Sequence, residues 1–403
     1  MKRLCKTTII VASAAAMLQA SGYKIPEQSL SAVALGAANV AAVDGSDASY
    51  YNPANMAFLT NQKSELELGL TYINLPSMKY KDDRLPTLNG KSKTEHFVAP
   101  YMHFVIPQYY ENWRFGFSFV APGGLAKRWE TPYQMAQSKK FSLKIIEANP
   151  TAAYRVNDIF AIGFGARMVY TRGIVHSNAV AVPALGGQEV KLAGDSIDFG
   201  YNLALSLRPI EGLALAATYR SKVDLTVEGK AGISKHGKTK ASVDVILPAT
   251  LDLAIAYTFN KRTTVEFVYE RVYWSKYKEL DFESSIPLYQ FRPNNKAISK
   301  NWKDSNTYRI GLTHWWSDNL KLMAGFTIDK TPAPDSSLGP ELPDSDGKIY
   351  SGGFEYKLND DMSVGLAYLY SDKEKRRVSN ALNQGEFSNG GAHLVSASLK
   401  YRF

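Results

Sequence analysis

This chain has almost no cysteine and no long apolar run after its N-terminus. It contains one cysteine, Cys5, close to the N-terminus. If that segment is removed on export, no thiol remains for a disulfide or a cysteine-ligated metal. No later stretch reaches the roughly 18 consecutive apolar residues that a transmembrane helix needs. The two absences exclude disulfide-stapled domains and helical membrane proteins.

The first 20 residues have the layout of a secretory signal peptide. Lys2 and Arg3 precede an apolar run, residues 9–18, which is too short to cross a bilayer as a helix. The small residue Ala20 marks the predicted cleavage site, so residues 1–20 are assigned to the signal. An exported chain with these absences is either a soluble protein or an outer-membrane barrel.

Motifs for catalysis and for metal binding are also missing. The chain has no GxSxG, HExxH, phosphate-binding loop or CxxC. Its six histidines lack metal-ligand spacing, and we expect His103 and His314 to be interfacial or lumenal. We therefore predict no enzyme activity, no metal and no cofactor. The net charge of +9 is spread along the chain without a basic and aromatic cluster, so we expect no nucleic-acid partner.

From residue 63 onward the polarity of the chain alternates with a period of two. In residues 65–72, for example, Leu68 and Leu70 share one face and Glu65 and Glu67 share the other. This alternation is typical of β-strands with one apolar face and one small or polar face. We place fourteen such strands at residues 63–73, 95–107, 113–121, 142–155, 159–171, 196–208, 213–227, 240–258, 262–283, 302–316, 320–329, 348–358, 362–372 and 392–403.

The links between these segments alternate strictly between long and short. The short links include residues 108–112, 156–158, 260–261 and 359–361, and every other link is long. All tight turns therefore lie at one end and all long loops at the other. Residues 61–403 are predicted to form an all-β, 14-stranded antiparallel transmembrane β-barrel. A soluble sandwich would mix short and long links.

The apolar strand faces are too numerous for one core, so we expect them to face lipid. The 24 tyrosines suit interfacial girdles. The last strand ends on the aromatic Phe403, which resembles the C-terminal signal read by the outer-membrane assembly machinery. We expect a monomer in a Gram-negative outer membrane, in contact with membrane lipid and lipopolysaccharide.

Residues 21–60 differ from the rest of the chain. They are rich in Ala, Ser and Gly, and they bury too little apolar surface to fold alone. We predict that this segment is a plug, or hatch, ordered by the barrel around it. Asn52 is expected to cap a short helical turn that begins at Pro53.

Several stretches of the sequence resemble the FadL/TodX family of outer-membrane transporters for long-chain fatty acids and other hydrophobic compounds. They are Tyr51-Asn52-Pro53-Ala54, Pro248-Ala249 followed by Tyr273-Trp274-Ser275, Asn301-Trp302-Lys303-Asp304, and residues 329–334 followed by 342–346. The ordered set covers nearly the whole mature chain. Gly347 departs from the family, which often has Arg there, and this puts a ligand contact from that loop in doubt.

The resemblance implies capture of ligand among the extracellular loops, binding in the lumen, and movement of a hatch that contains Asn52, Pro53 and Ala54. It also implies lateral exit through a kink in the third strand. Pro122, Gly123 and Gly124 end the predicted third strand and weaken its pairing, so they are candidates for this kink. An ordinary loop start there, or a kink further inside at Gly116, remains open.

The resemblance further places basic ligand contacts at Arg172, just past the predicted fifth strand, and near Lys296 and Lys300. The alternative for each is a solvated loop charge. The predicted function is uptake of long-chain fatty acids or related hydrophobic molecules. Aromatic hydrocarbons are the main alternative substrate, and a small-solute porin or an outer-membrane lipase are further alternatives.

Overall fold

The chain closes into a barrel of fourteen antiparallel strands, as predicted. The computed structural model describes residues 22–60, 62–110, 112–185, 187–234, 237–284 and 297–403, so the predicted signal peptide lies outside the described residues. The last strand pairs with the first in a continuous register that runs from Glu65 opposite Arg402 to Asn74 opposite His393. Pairing of the first strand with the last closes the sheet on itself, which is the condition for strands to cross lipid.

The fourteen strands follow one another around the barrel in chain order, and three of them are interrupted. Their bounds are β1 Glu65–Leu75, β2 Glu95–Val105, β3 Trp113–Arg128, β4 Lys140–Arg155, β5 Phe160–Asn178, β6 Glu189–Leu207, β7 Leu213–Arg220 and Val223–Ile233, β8 Gly237–Leu247 and Thr250–Phe259, β9 Thr263–Val272 and Glu279–Ser284, β10 Ser305–Trp315, β11 Leu320–Asp329, β12 Gly347–Lys357, β13 Met362–Lys373 and β14 Gly391–Arg402.

The two faces of each strand are inverted relative to a soluble protein. On β1, Leu70 is 55% exposed, whereas Glu67 is fully buried. On β6, Phe199 is 73% exposed and Asn202 is buried. Exposed apolar side chains around a buried polar interior are what a lipid-facing wall requires. Among the described residues, no helix is long and apolar enough to cross a membrane.

The long links carry their own secondary structure at one end of the barrel. A helix, Pro132–Ser138, follows β3, and a separate four-stranded sheet covers part of this end. That sheet has the order Arg376–Ser379, Gln384–Ser388, Lys79–Asp82 and Gly90–Lys91. Its hydrogen-bonded pairs unite the link after β1 with the link after β13, so the two loops form one cover.

Residues 22–60 form short helices rather than strands. Helix α1 is Leu30–Ala34, helix α2 is Ala48–Tyr51, and a 3-10 helix, Pro53–Phe58, follows directly. Ser29 caps α1 by accepting a hydrogen bond from the backbone of Ala32 at 3.1 Å. The segment is buried along almost its whole length although few of its side chains are large.

Candidate functional site

The N-terminal segment lies across the inside of the barrel. Helix α1 packs against β11–β14, whereas α2 and the 3-10 helix pack against β2–β6. These two groups of strands are separated along the sheet by β7–β10. A segment that contacts both groups and their buried faces occupies the lumen.

A barrel carboxylate holds the middle of the segment. Glu266 on β9 accepts hydrogen bonds from the backbone N–H groups of Val40, Ala41 and Ala42 at 2.7, 2.6 and 3.2 Å. Three N–H groups on one carboxylate are strong, charge-assisted bonds. These bonds satisfy N–H groups of a loop whose backbone has no hydrogen-bond partners in a sheet or helix.

Asp47 organises the segment internally, and a second barrel carboxylate holds it from outside. The side chains of Ser29 and Asn39 donate to one carboxylate oxygen of Asp47 at 2.7 and 2.9 Å. Next to it, Ser46 donates its backbone N–H to Glu65 of β1 at 2.7 Å. Polar contacts therefore tie the segment together and to the wall, in addition to the apolar packing of residues such as Leu30 and Met56 against it.

Asn52 and Pro53 do not act together as a side-chain cap, so that part of the prediction was wrong. Pro53 is the first residue of the 3-10 helix, as expected, but the Asn52 side chain makes no capping bond. Its amide instead donates to the carbonyl of Val40 at 2.8 Å and to the hydroxyl of Ser206 on β6 at 2.9 Å. Asn52 therefore joins two parts of the segment to the barrel wall.

Glycines of the wall make room for the segment. A Cβ atom added at Gly163 would lie 2.6 Å from the carbonyl carbon of Pro53 and would also meet the backbone of Ala54. At Gly325, on the far side of the lumen, a Cβ atom would collide with the backbone of Leu35. Glycines on the polar strand faces thus allow the backbone of the N-terminal segment to approach the wall closely.

The rest of the lumen is filled by buried ion pairs. On β4, Glu147 accepts two bonds from Arg167 at 3.0 and 2.9 Å and also pairs with Arg220. Similar groups are Glu355 with Lys321 and Lys400, Lys373 with Asp329 and Asp344, and Glu270 with Arg309 and Lys24. Buried charges must be paired, and here they tie together strands that are distant in sequence.

Two cavities beside the N-terminal segment are small. One cavity, of about 10 Å³, lies between Lys24, Glu27 and Arg309. Another, of about 50 Å³, lies beside Asn39 and Trp315. Sites for small-molecule ligands usually measure about 300–1,000 Å³. With the N-terminal segment in this position, neither cavity can hold a hydrophobic ligand of that size.

Besides the interruptions of β7–β9, the wall is irregular between β2 and β3. The regular ladder between these strands covers only four residue pairs, from Val105 opposite Gly116 to Met102 opposite Phe119. On its other side, β3 changes register against β4 between Val120 and Gly123. The register shift is a β-bulge, which bends a strand away from its neighbour.

The start of the N-terminal segment takes up this irregular edge. Ile25 donates its N–H to the carbonyl of Pro122 at 2.8 Å, and Gly124 donates to the carbonyl of Tyr23 at 2.9 Å. The side-chain oxygen of Gln28 accepts from the N–H of Ala121 at 2.8 Å. Residues 23–25 thus act as a short added strand against the kinked part of β3.

The third strand does not end at Pro122 as the sequence predicted. It continues to Arg128, because Gly123–Arg128 pairs again with Lys140–Ile145 of β4 after the bulge. Pro122 is accommodated at the one point where no ladder bond is required of it. Gly116 is paired regularly on both sides, so the irregularity lies at residues 121–122 and not at Gly116.

The two described residues among the three predicted ligand cations, Arg172 and Lys300, do not lie together in the lumen. Arg172 lies inside β5 rather than past its end, and its side chain is exposed on the face opposite buried Thr171. Lys300 is buried and forms an ion pair with Glu341 at 2.8 Å. Lys296 lies outside the described residues. To contact a ligand in the lumen, the Arg172 side chain would have to lie on the opposite face of its strand.

Sequence reasoning missed a polar chain that links the plug to the kinked strand. Ser49 and Ser118 are hydrogen-bonded through their hydroxyls at 2.7 Å, and His103 contacts Ser118 at 2.9 Å. The other ring nitrogen of His103 lies 2.8 Å from the carbonyl of Gln28. His103 is lumenal, one of its two predicted positions. The period-two pattern identified its face but not its partners.

Comparison with known proteins accounts for this architecture. The family model described as outer membrane protein transport protein (OMPP1/FadL/TodX) matches residues 11–403. The chain belongs to this family. The protein is accordingly a β-barrel of the Gram-negative outer membrane.

Relatives match between about three quarters and nearly all of the chain at low identity. The putative outer membrane protein NMB0088 of Neisseria meningitidis is 26% identical over 475 residues and covers 99% of both chains. The long-chain fatty acid transport protein of Escherichia coli K12 is 22% identical over 350 residues, which is 76% of this chain and 77% of that protein.

Solved structures show the same fold. A FadL homologue from Pseudomonas aeruginosa superposes with a TM-score of 0.82 at 18% identity, covering 95% of this chain and all of that chain. The toluene transporter TodX of P. putida superposes with a TM-score of 0.72 at 20% identity, covering 95% and 99%. Fold similarity at this identity does not by itself select a ligand.

Proposed function

We propose that this protein carries hydrophobic molecules, long-chain fatty acids first, through the outer membrane, with residues 21–60 as the hatch. The observation that carries the proposal is the interrupted β2–β3 wall with residues 23–25 bonded along its edge. Ligand captured among the extracellular loops enters the lumen when the hatch moves. It leaves sideways where Pro122, Gly123 and Gly124 interrupt the wall.

Lateral exit suits a hydrophobic ligand on energetic grounds. Returning a fatty acid chain to water costs about 0.8 kcal/mol for every CH₂ group, so a route that ends in lipid avoids this cost. The wall can release its occupant at the bulge because β3 relies there on the hatch as well as on its neighbouring strands. Moving residues 23–28 would free the backbone groups of 121–124 without breaking the rest of the barrel.

The hatch is suited to movement because it is held by polar contacts. Glu266, Glu65, Ser206 and Ser118 of the wall bind it through hydrogen bonds. Each such bond contributes about 1 kcal/mol net, or about 1.5–3 kcal/mol at the carboxylates of Glu266 and Glu65, because water replaces it when the contact opens. In this mechanism Asn52, Pro53 and Ala54 set the resting position, and extracellular ligand shifts the balance between resting and displaced states.

A reversible disulfide between hatch and wall tests the mechanism. The Ser49 and Ser118 hydroxyls are 2.7 Å apart, so Ser49→Cys with Ser118→Cys brings two thiols together with little change in volume. The cleaved chain would have no other cysteine. We expect oxidised cells to lose most oleate uptake and to recover it on reduction.

Each single-cysteine variant serves as the control, because it carries one of the changes and cannot form the bridge. Uptake of radiolabelled oleate is compared at equal surface levels before and after reduction. Undiminished uptake by the fully oxidised double variant would show that this contact does not open during transport, and the hatch mechanism would be wrong.

Aromatic hydrocarbons are the second candidate ligand, and one observation favours them. Of the predicted contacts for a fatty acid carboxylate, Arg172 faces outward and Lys300 is already paired with Glu341. A neutral ligand needs no such cation. Mass spectrometry of hydrophobic molecules that copurify with the protein distinguishes the two, and competition of toluene with oleate uptake provides a functional check.

A further inference from the structure

A group of basic side chains stands on the outer face of β4–β6. Lys144 lies directly across from Arg172. Lys140, four residues from Lys144 along β4, lies across from His176, and His176 lies across from Lys191 on β6. Opposite residues of an antiparallel ladder point to the same side of the sheet. We call Lys140, Lys144, Arg172 and Lys191 the basic patch.

The patch forms two rows along the strands. Lys140 and Lys144 are four residues apart on β4, which corresponds to about 13 Å at the usual rise of a strand. The lower row contains Lys144 and Arg172, and the upper row contains Lys140 and Lys191. The arrangement presents two separated positive centres on one wall.

The four charges are uncompensated. Within the described parts of the chain, none of the four forms a hydrogen bond or an ion pair through its side chain. Asp195 lies opposite Arg172 without pairing to it, and Glu189 is engaged by His176 at 2.6 Å and Lys139 at 3.4 Å. Four cations that share one face and are paired with no described carboxylate favour an anionic ligand there.

The height of the patch identifies where that ligand lies. Directly below it on the same faces are Met168, Ile197 and Phe199, which are 47%, 60% and 73% exposed and belong to the lipid-facing belt. Beyond the patch, β5 and β6 continue to the long link that joins them. In the topology of the family, the long links lie at the extracellular end of the barrel. The patch therefore sits at the boundary between the hydrocarbon and the head groups of the outer leaflet.

We propose that the basic patch binds the phosphate groups of lipopolysaccharide. Lipid A, its membrane anchor, is a disaccharide with a phosphate at each end, so two rows of cations can each meet one phosphate while the acyl chains lie on the apolar belt below. Arg172 can bind phosphate through two parallel N–H bonds, and the lysines act as point charges. Because β4 is the strand paired to the bulge of β3, the bound lipid would also flank the proposed lateral exit.

Binding of fluorescent lipid A to the detergent-purified full-length barrel tests the proposal. The test variant is Lys144→Gln with Arg172→Gln, and the matched control is Lys303→Gln with Lys348→Gln, two exposed lysines on other strands and links. The test variant should bind about tenfold more weakly than wild type, and the control should bind like wild type. Heat-modifiable gel migration confirms that all three proteins are folded.

Competing lipids distinguish phosphate recognition from general affinity for lipid. Unlabelled lipid A should displace the probe from wild type, whereas dephosphorylated lipid A and phosphatidylglycerol should compete at least about fivefold more weakly. Salt should weaken the binding of wild type more than that of the test variant. Equal affinity of wild type and test variant, or equal competition by dephosphorylated lipid A, would overturn the proposal.

Discussion

Gly163 of β5 and Pro53 of the hatch are so close that a Cβ atom at position 163 would lie 2.6 Å from the carbonyl carbon of Pro53. The two nearest atoms, the backbone nitrogen of Ala54 and the carbonyl carbon of Pro53, belong to backbone and cannot rotate away. The wall and the hatch are therefore fitted to each other at the 3-10 helix that begins at Pro53. This fit is local to the lumen and does not involve the strand pairing of β5.

Gly163→Ala should displace the hatch without preventing barrel assembly. Overpacking of this kind costs about 1–3 kcal/mol, which falls on the docked hatch because the β5 ladder can accept alanine. We expect amide hydrogen exchange in residues 48–58 to accelerate by roughly fivefold to a hundredfold. Gly352→Ala is the control, since its new Cβ would meet only Met323, at 3.5 Å. Unchanged exchange in the first variant would contradict the fit.

Asn52→Ala should loosen the hatch more than Pro53→Ala. The first change removes two buried hydrogen bonds, to Val40 and to Ser206, although the carbonyl of Val40 keeps a longer one from Asn55, so we expect a cost of about 1–3 kcal/mol. The second only frees one backbone dihedral, worth about 0.4–1 kcal/mol. Hydrogen exchange of residues 38–42 separates the two contributions. Equal effects would mean that Asn52 acts only through the turn.

The barrel could be predicted from sequence because its signals are local. Alternation within a strand and the length of a link are both read within about twenty residues, and fourteen strands followed from them. The ends of the strands were predicted less accurately. Residues 172–178 look like a loop, yet they extend β5 by pairing with β6 residues 189–195. That error placed Arg172 in a loop instead of on the outer wall.

The hatch contacts could not be predicted, because each joins residues that are far apart in sequence. Asn52 has the residue type and position of an N-cap, but its side chain bonds instead to Val40 of the hatch and Ser206 of the wall. Glu266 looks like any other polar residue on the inner face of a strand, yet it binds three N–H groups of the hatch. Such pairings depend on the closed barrel, which brings distant strands around one segment.

Glu266→Gln should undock the middle of the hatch. A glutamine keeps one oxygen for the N–H groups of Val40, Ala41 and Ala42 but replaces the other by a donor and removes the charge. We expect a loss of about 1.5–3 kcal/mol of docking energy, seen as faster exchange at residues 40–42. Glu211→Gln, which breaks only the exposed pair with Lys261, should change nothing measurable. Slow exchange in the Glu266 variant would remove this residue as an anchor.

The last prediction concerns Glu27, whose carboxylate is buried in the hatch with both oxygens unpaired. Burial raises the pKa of Glu27 to about 7, against the opposing influence of Arg309 and Lys24. A carboxyl group with a raised pKa binds its proton more readily when docked than when displaced. Proton binding by Glu27 therefore stabilises the docked hatch. This stabilisation is complete below the ordinary pKa of Glu27, near 4.5, and is lost as the pH rises through about 7.

A spin label on Pro26→Cys reports this effect directly, because nitroxide mobility does not itself depend on pH. The mobile fraction of the spectrum should be larger at pH 8 than at pH 5. In the same background Glu27→Gln stays neutral at both values, so its spectrum should resemble that of the pH 5 sample throughout. If the difference persists in the glutamine variant, another group titrates and Glu27 is not responsible. A mobile fraction that falls with rising pH would show that Glu27 docks as the anion, held by Arg309, and that its burial is outweighed.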